Sequence, residues 1–225
     1  MRQLPKAPSL RRTVEKIQPK VEIVIACEGE NTEPRYIQDC VAHYGAGLVR
    51  LRLIPRFGVP LTVVRTAIAE REMLLARVRS RWGGVKPELC FRVWAIFDKD
   101  DHDVAEALAL AKENGVDVAF SNPCFELWAL LHLENYGAQD GRHDLQRRLR
   151  DFMPTYDHDH GAVVDFVQIA SQFPVAFQRA RALNQARVAE DCEGGCPSTT
   201  VGDLVLKIVE NGKFNFRAKV AKELG

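Results

Sequence analysis

The sequence predicts an α/β fold, in which a parallel four-stranded sheet is flanked by helices and followed by a helical C-terminal extension. Short apolar runs alternate with stretches of helical periodicity from residue 21 to about residue 136. Such alternation is typical of parallel sheets with right-handed crossovers. Strand signals then stop at residue 137. We therefore expect a basic N-terminal tail at residues 1–20, an α/β core at 21–136 and a helical C-terminal subdomain packed on that core at 137–225.

The composition is that of an ordinary globular protein. Hydrophobic residues make up 46% of the 225 residues and charged residues 27%, which allows a sizeable core. The formal net charge is only +1, so contacts with nucleic acid have to come from local basic patches. The six cysteines are scattered, as in a reducing compartment. No apolar run approaches the roughly 20 residues that span a bilayer. We expect a cytoplasmic protein with no membrane contact.

The first predicted strand covers residues 21–27 and ends directly at Glu28. Before it, residues 1–20 carry six basic side chains and one acid, Glu15. Such a segment is most often a solvated tail and less often an arm laid on phosphates. After the strand, Gly29 permits a tight turn, so Glu28 is presented at the carboxyl end of the strand.

The next elements alternate between helix and strand. The pattern predicts helices at residues 34–45 and 61–81, with a strand at 48–54 between them, then the central strand, a helix at 104–114 and a strand at 116–120. Together these elements give the order β-α-β-α-β-α-β. The carboxyl ends of parallel strands meet at one edge of the sheet, and ligands bind there in open α/β sheets.

The central strand ends in a cluster of carboxylates. Five consecutive apolar residues, 93–97, precede Asp98 and Asp100, and such a run suits a strand buried on both faces. Two residues apart on a strand, Asp98 and Asp100 project from the same face. Two carboxylates held so close repel, and a divalent cation relieves that repulsion. Alternatively, Asp100 or Asp101 simply caps the helix that follows, and for Asp101 we favour this interpretation.

The fourth strand leads into a short helix that carries Glu126 and His132. Glu126 falls in the first turn, where an acid is stabilised by the helix dipole. It also lies at the same edge as the other acids, so we consider it a second metal ligand. For His132 we weigh a structural partner on the helix face against contact with substrate.

The C-terminal half supplies basic residues. Arg142, Arg147 and Arg148 lie in a helical stretch whose face is either solvated or holds a phosphate backbone. A polar loop contains His158 and His160, two groups able to bind metal. Helices follow from about residue 162 to 191, and Ser198 or Thr199 is expected to cap a final helix that ends near residue 211.

Taken together, these stretches resemble the RloB family, whose members have a Toprim-like fold. The resemblance covers most of residues 21–206, and the Ser-Asn-Pro-Cys-Phe-Glu-Leu-Trp string that begins at Ser121 is its most specific part. Its other motifs are Ile25–Pro34 with Tyr36, Ile96–Asp100, and Pro197–Thr200 with Leu204 and Val205.

The resemblance implies a site and an activity. Toprim domains pair a glutamate after the first strand with an Asp-x-Asp after the third to bind magnesium. Carried over, Glu28 matches that glutamate and Asp98 and Asp100 match the pair, while Glu126 is similar to an additional acid in Toprim nucleases of the OLD type. Toprim motifs often continue with a glycine soon after the second aspartate, whereas this chain has Asp101-His102-Asp103.

The implied function is a Mg²⁺- or Mn²⁺-dependent nuclease acting on DNA or RNA in anti-phage defence, with an ATPase or restriction-system partner and a homodimer as further options. A different hypothesis is a non-catalytic, regulatory protein that binds nucleotide, nucleic acid or a partner. A phosphotransferase is disfavoured because the chain contains no Gly-x4-Gly-Lys-Ser/Thr loop to cradle phosphate.

Overall fold

The computed structural model describes residues 21–29, 31–55, 58–81, 86–99, 104–157, 161 and 163–212. Strands and helices alternate through the first half of the chain, as predicted. The strands are β1 (Val21–Cys27), β2 (Val49–Pro55), β3 (Phe91–Asp98), β4 (Asp117–Asn122) and β5 (Ser198–Thr199). The helices are α1 (Thr32–Tyr44), α2 (Pro60–Arg81), α3 (Ala105–Glu113), α4 (Glu126–Leu133), α5 (Arg142–Phe152), α6 (Phe166–Ile169), α7 (Phe173–Ala189) and α8 (Val201–Asn211).

The strands form one sheet in the order β2-β1-β3-β4-β5. The first four run parallel, with Ile25 of β1 opposite Trp94 of β3. The predicted α/β class with a mostly parallel sheet is confirmed.

The sheet differs from the prediction in its fifth strand. The two-residue β5 runs antiparallel to β4, with Ser198 opposite Asn122 and Thr199 opposite Ser121. The sequence indicated a helix cap at this point because two polar residues carry no strand pattern. The N-cap residue of α8 is Thr200, one residue later than predicted. Thr199 Oγ1 accepts a hydrogen bond from the backbone N–H of Val201, the first residue of α8, at 3.3 Å.

Both faces of the sheet are covered, which explains why β1 and β3 are mostly apolar. Alternate residues of a strand point to opposite faces, so Ile23 and Ile25 pack with α1, α4, α7 and α8, whereas Val24 and Ala26 pack with α2 and α3. The first of these two cores joins residues of the strands with residues of the C-terminal helices, among them Leu204 and Ile208. No described helix is both long and apolar enough to cross a membrane.

Candidate active site at the carboxyl edge of the sheet

Glu28 and Asp98 lie at the ends of neighbouring parallel strands. In the register of β1 and β3, Cys27 is opposite Ile96, and the backbone N–H of Glu28 donates to the carbonyl of Ile96 at 3.2 Å. Glu28 therefore lies level with Phe97, one residue before Asp98 at the end of β3. Neighbouring strands lie about 4.8 Å apart, so the structure confirms that the two acids share one edge of the sheet.

The start of α4 is joined to Asp98. Oδ2 of Asp98 accepts a hydrogen bond from the backbone N–H of Phe125 at 3.1 Å, and Phe125 is the N-cap residue of α4. The first N–H groups of a helix lack partners within the helix, so this carboxylate satisfies one of them. Glu126 is the next residue along the chain, and the bond brings the turn that carries it to the end of β3.

Glu126 is almost completely buried, with a relative exposure of 3%. Its Oε1 accepts a short hydrogen bond from the hydroxyl of Tyr156 and a longer one, 3.4 Å, from Nε2 of Gln146 on α5. A buried carboxylate is stable only when such donors replace water. Tyr156 and Gln146, themselves 1% and 5% exposed, therefore fix the direction in which Glu126 points.

The pKa of the Cys124 thiol shows which charged side chains lie near the start of α4. Burial is the main reason that the pKa of its thiol is raised well above the usual range, and the negative charges of Glu126 and Asp98 raise it further. The positive charge of Arg142, the first residue of α5, lowers it. Arg142 is therefore close enough to Cys124 for its charge to act on the thiol. Of the predicted substrate-binding arginines, Arg142 is the one whose charge acts on Cys124, two residues before Glu126.

Glu33 belongs to the same region, although sequence reasoning did not include it among the site residues. It lies in the first turn of α1, and its Oε2 would be 2.7 Å from a Cβ added at Gly29. Burial and, second, the charge of Glu33 raise the pKa of Cys27 to about 12. The charge of Glu33 also contributes to the raised pKa of Tyr156. Its position in the first turn of a helix that follows β1 was the available signal.

The oxygen donors of this edge fit a hard divalent cation. Mg²⁺ and Mn²⁺ prefer carboxylate oxygens. Glu28, Asp98 and Glu126 provide them from the connections that follow β1, β3 and β4, which are neighbours in the sheet. Within the residues that the structure describes, no three His, Cys, Asp or Glu side chains are grouped closely enough to form a metal site.

Asp100, the fourth predicted ligand, lies outside the described residues, as do Asp101, His158 and His160. The metal site stays a prediction.

His132 is held inside the protein, away from the acids. Its relative exposure is 3%, Nδ1 lies 2.9 Å from the carbonyl oxygen of Trp128, and its ring packs edge-on against Trp128 and Tyr36. Burial lowers its pKa from 6.5 to about 4, and the charge of Arg179 adds to that effect. His132 follows Glu126 by six positions in α4, about 9 Å along the helix axis. These contacts give His132 the structural partner that was one of its two predicted roles.

The other two predicted substrate-binding arginines are exposed on α5 and paired with acids. Arg147 forms an ion pair with Asp144 at 2.7 Å. Arg148 binds both carboxylate oxygens of Glu134 and lies over the ring of Tyr136. A phosphate backbone would have to compete with these acids for either arginine.

The fold and this edge define an α/β protein with an acid-lined site at the carboxyl ends of parallel strands. The model of the family described as RloB-like protein matches residues 23–208, more than four fifths of the chain. The chain therefore belongs to the RloB family, and the predicted family membership is confirmed. The observed sheet is compatible with a Toprim-like fold. No curated protein and no solved structure matches the chain.

Proposed function

We propose that this protein is a divalent-metal-dependent nuclease that hydrolyses phosphodiester bonds in DNA or RNA. One observation carries the proposal: Glu28, Asp98 and the turn before Glu126 come from three separate β-α connections and meet at one edge of the sheet. This edge is where ligands bind in open α/β sheets. Collected carboxylates are suited to hold cations against a phosphate.

Asp98, Asp100 and Glu126 would hold Mg²⁺ or Mn²⁺, with Glu28 as a further ligand. Bound there, the ions would stabilise the attacking and leaving oxygens of an in-line displacement. In the alternative assignment, Glu28 is the general base that takes a proton from the attacking water. Tyr156 and Gln146 keep Glu126 in one orientation through their hydrogen bonds, and such preorganisation is what a metal ligand requires.

Arg142 supports contact with the nucleic acid at this edge. It begins α5, and its charge acts on the same thiol as Glu126 and Asp98. An arginine beside the acids binds phosphate oxygens through its planar fork of N–H groups. Arg147 and Arg148 would add backbone contacts further along α5, which makes binding weaken as salt is added.

The biological setting belongs to the same proposal. Membership of the RloB family supports an anti-phage role in the cytoplasm, together with an ATPase or another defence-system partner, and a homodimer is an option for the assembly.

A non-catalytic role is the second proposal, and a specific observation favours it. Asp98 accepts a hydrogen bond from the backbone N–H of Phe125. Glu126 accepts hydrogen bonds from the side chains of Tyr156 and Gln146. Each acid therefore has a structural task that a regulatory scaffold would also need. Such a scaffold would bind nucleotide, nucleic acid or a partner protein without cutting.

Cleavage assays separate the two proposals. Purified protein is incubated with tRNA, single-stranded RNA, plasmid and single-stranded DNA in Mg²⁺ or Mn²⁺, and compared with the double variant Asp98→Ala, Asp100→Ala. Glu72→Gln, which removes an exposed acid from α2, is the matched control. We expect cleavage of one substrate class by wild type and control, and loss of cleavage in the double variant and in EDTA.

Two results would contradict the nuclease. Equal cleavage by wild type and double variant would identify a contaminant. Absence of cleavage by either protein, together with no divalent binding in calorimetry, would leave the scaffold as the better proposal.

A further inference from the structure

Two cavities lie side by side at a part of the protein that the carboxylate edge does not use. One, of about 550 Å³, opens at the amino-terminal ends of β3 and β4. The other, of about 570 Å³, lies along the outer side of β4, between α3 and the segment that leads into β5. Both are lined by Leu108, Lys112 and Val118, so they meet at these residues. Each volume is within the range of about 300–1,000 Å³ that is usual for small-molecule sites.

The cavity beside β4 is apolar and contains a buried hydroxyl. Its walls include Val118, Phe120 and Val188. Ser198 also lines it, with a relative exposure of 3%, and no described residue offers Ser198 Oγ a hydrogen-bond partner. A buried hydroxyl without a partner destabilises the folded protein. A flat apolar ligand with a polar edge would fill the space and satisfy this group.

The cavity at the strand ends is lined by three cations, Arg71, Arg92 and Lys112. Among the described residues, none of the three forms an ion pair with a carboxylate. Gly115 has a φ of +64° and allows Arg71 to lie against it, since an added Cβ would be 2.8 Å from Nη2.

The acids around the two cavities do not cancel this charge. Asp117 and the exposed Glu88 line the cationic cavity, and the exposed Glu193 lies at the apolar one. Asp117 is the one half-buried acid, facing the half-buried Arg71 and Arg92. The inner part of the cationic cavity therefore keeps a positive excess, which suits a phosphate group.

We propose that these joined cavities form a nucleotide-binding site. The base lies in the apolar cavity and hydrogen-bonds to Ser198 Oγ, and the phosphate lies beside Lys112, Arg71 and Arg92. A nucleotide is the ligand class whose two halves match the two cavities, an apolar ring with polar edges and an anion. This proposal does not depend on the nuclease, because none of its residues belongs to the carboxylate edge.

Calorimetric titration of the full chain with AMP, GMP, CMP and UMP tests the proposal. The buffer contains EDTA, so that metal-dependent binding at the carboxylate edge does not contribute. Three variants probe the site: Ser198→Ala removes the hydroxyl, Lys112→Ala removes a cation, and Ala109→Trp fills the apolar cavity from an exposed position. Arg65→Gln, an exposed arginine on α2, and Asp98→Ala are the controls. Adenosine and pyrophosphate, titrated separately, test the base and the phosphate alone.

We expect at least one mononucleotide to bind wild type, Arg65→Gln and Asp98→Ala equally. Binding should be about ten-fold weaker in Lys112→Ala and Ser198→Ala, since each loses one hydrogen bond to the ligand, and absent in Ala109→Trp. Adenosine and pyrophosphate should each bind at least about ten-fold more weakly than the nucleotide, because each lacks one of the two sets of contacts. The proposal is overturned if no mononucleotide binds, if Ala109→Trp binds as wild type does, or if Asp98→Ala abolishes binding.

Discussion

The neighbouring helices α4 and α5 carry the same kinds of polar residue in opposite surroundings. In α4, seven consecutive residues from Glu126 to His132 are buried. In α5, only Leu145, Gln146 and Leu149 are buried, and acids and bases face the solvent. Each helix has an acid in its first turn and a histidine. The difference shows that residue type alone does not decide what a polar group contributes.

Burial is the reason for the difference. The acid of α4 has lost its water and depends on Tyr156 and Gln146, so removal of a donor leaves a charge uncompensated. The acid of α5, Asp144, has a side chain 51% exposed, and water replaces any partner that is removed. Four predictions test this comparison.

The largest effect is expected from His132 as the pH is lowered. Its folded-state pKa is about 4, below the ordinary value of 6.5. Between these two pH values the imidazole is protonated in the unfolded chain and neutral in the folded protein. Stability is therefore complete above pH 6.5 and is lost as the pH falls from 6.5 to 4, by up to roughly 3 kcal/mol. Urea unfolding at several pH values measures this slope.

Two variants test whether His132 causes the pH dependence of the free energy of unfolding. His132→Gln should flatten the dependence between pH 6.5 and 4, whereas His143→Gln, at an exposed position of α5, should leave it unchanged. An unchanged slope in His132→Gln would show that another group titrates in this range.

The second effect concerns the donor to Glu126. Tyr156→Phe keeps the ring and removes the hydroxyl that donates to Oε1, so we expect a loss of about 1–3 kcal/mol in the free energy of unfolding. Urea denaturation at pH 7 gives the value. A stability equal to wild type would mean that Gln146 alone satisfies the carboxylate.

The third effect compares two glycines, one packed against α4 and the other at the start of α5. A Cβ at Gly202 would lie 2.8 Å from Phe177 and 3.1 Å from Trp128, whereas a Cβ at Gly141 meets nothing within 4 Å. Overpacking costs about 1–3 kcal/mol, and the better helix propensity of alanine offsets up to about 1 kcal/mol. Thermal unfolding should show Gly202→Ala destabilised and Gly141→Ala close to wild type. Equal melting temperatures would mean that the contacts of Trp128 relax without cost.

The smallest change in the free energy of unfolding is expected for a substitution on α5. Asp144→Asn removes the partner of Arg147, and an exposed pair three residues apart on a helix contributes less than about 0.5 kcal/mol. Urea denaturation in low and high salt should give nearly the same small difference from wild type. A loss above 1 kcal/mol would show that α5 is less solvated than its exposure indicates.

Local patterns predicted much of the fold and part of the site. The apolar runs of β1 and β3 identified strands buried on both faces, and the acids that follow them, Glu28 and Asp98, were placed at one edge. These inferences succeed because strand periodicity and the direction of parallel strands are local properties. The roles of Asp98 and Asp100 as metal ligands stay predictions.

Other features depend on residues far apart in the chain. Tyr156 reaches Glu126 across 30 residues, and β5 joins β4 through Thr199 and Ser121, 78 residues apart. No periodicity marks such partners, because a single polar residue in a loop has the same sequence signal whether it faces water or a buried acid.

The sequence by itself therefore determined the order of the first four strands with the helices between them, and the edge at which the acids of β1 and β3 end. Only the tertiary structure decided which polar groups are buried, that Glu33 lies against Gly29 in the turn after β1, and that Arg147 and Arg148 pair with acids. The physical reason is that periodicity is set by neighbours along the chain, whereas burial and charge pairing are set by packing between distant segments.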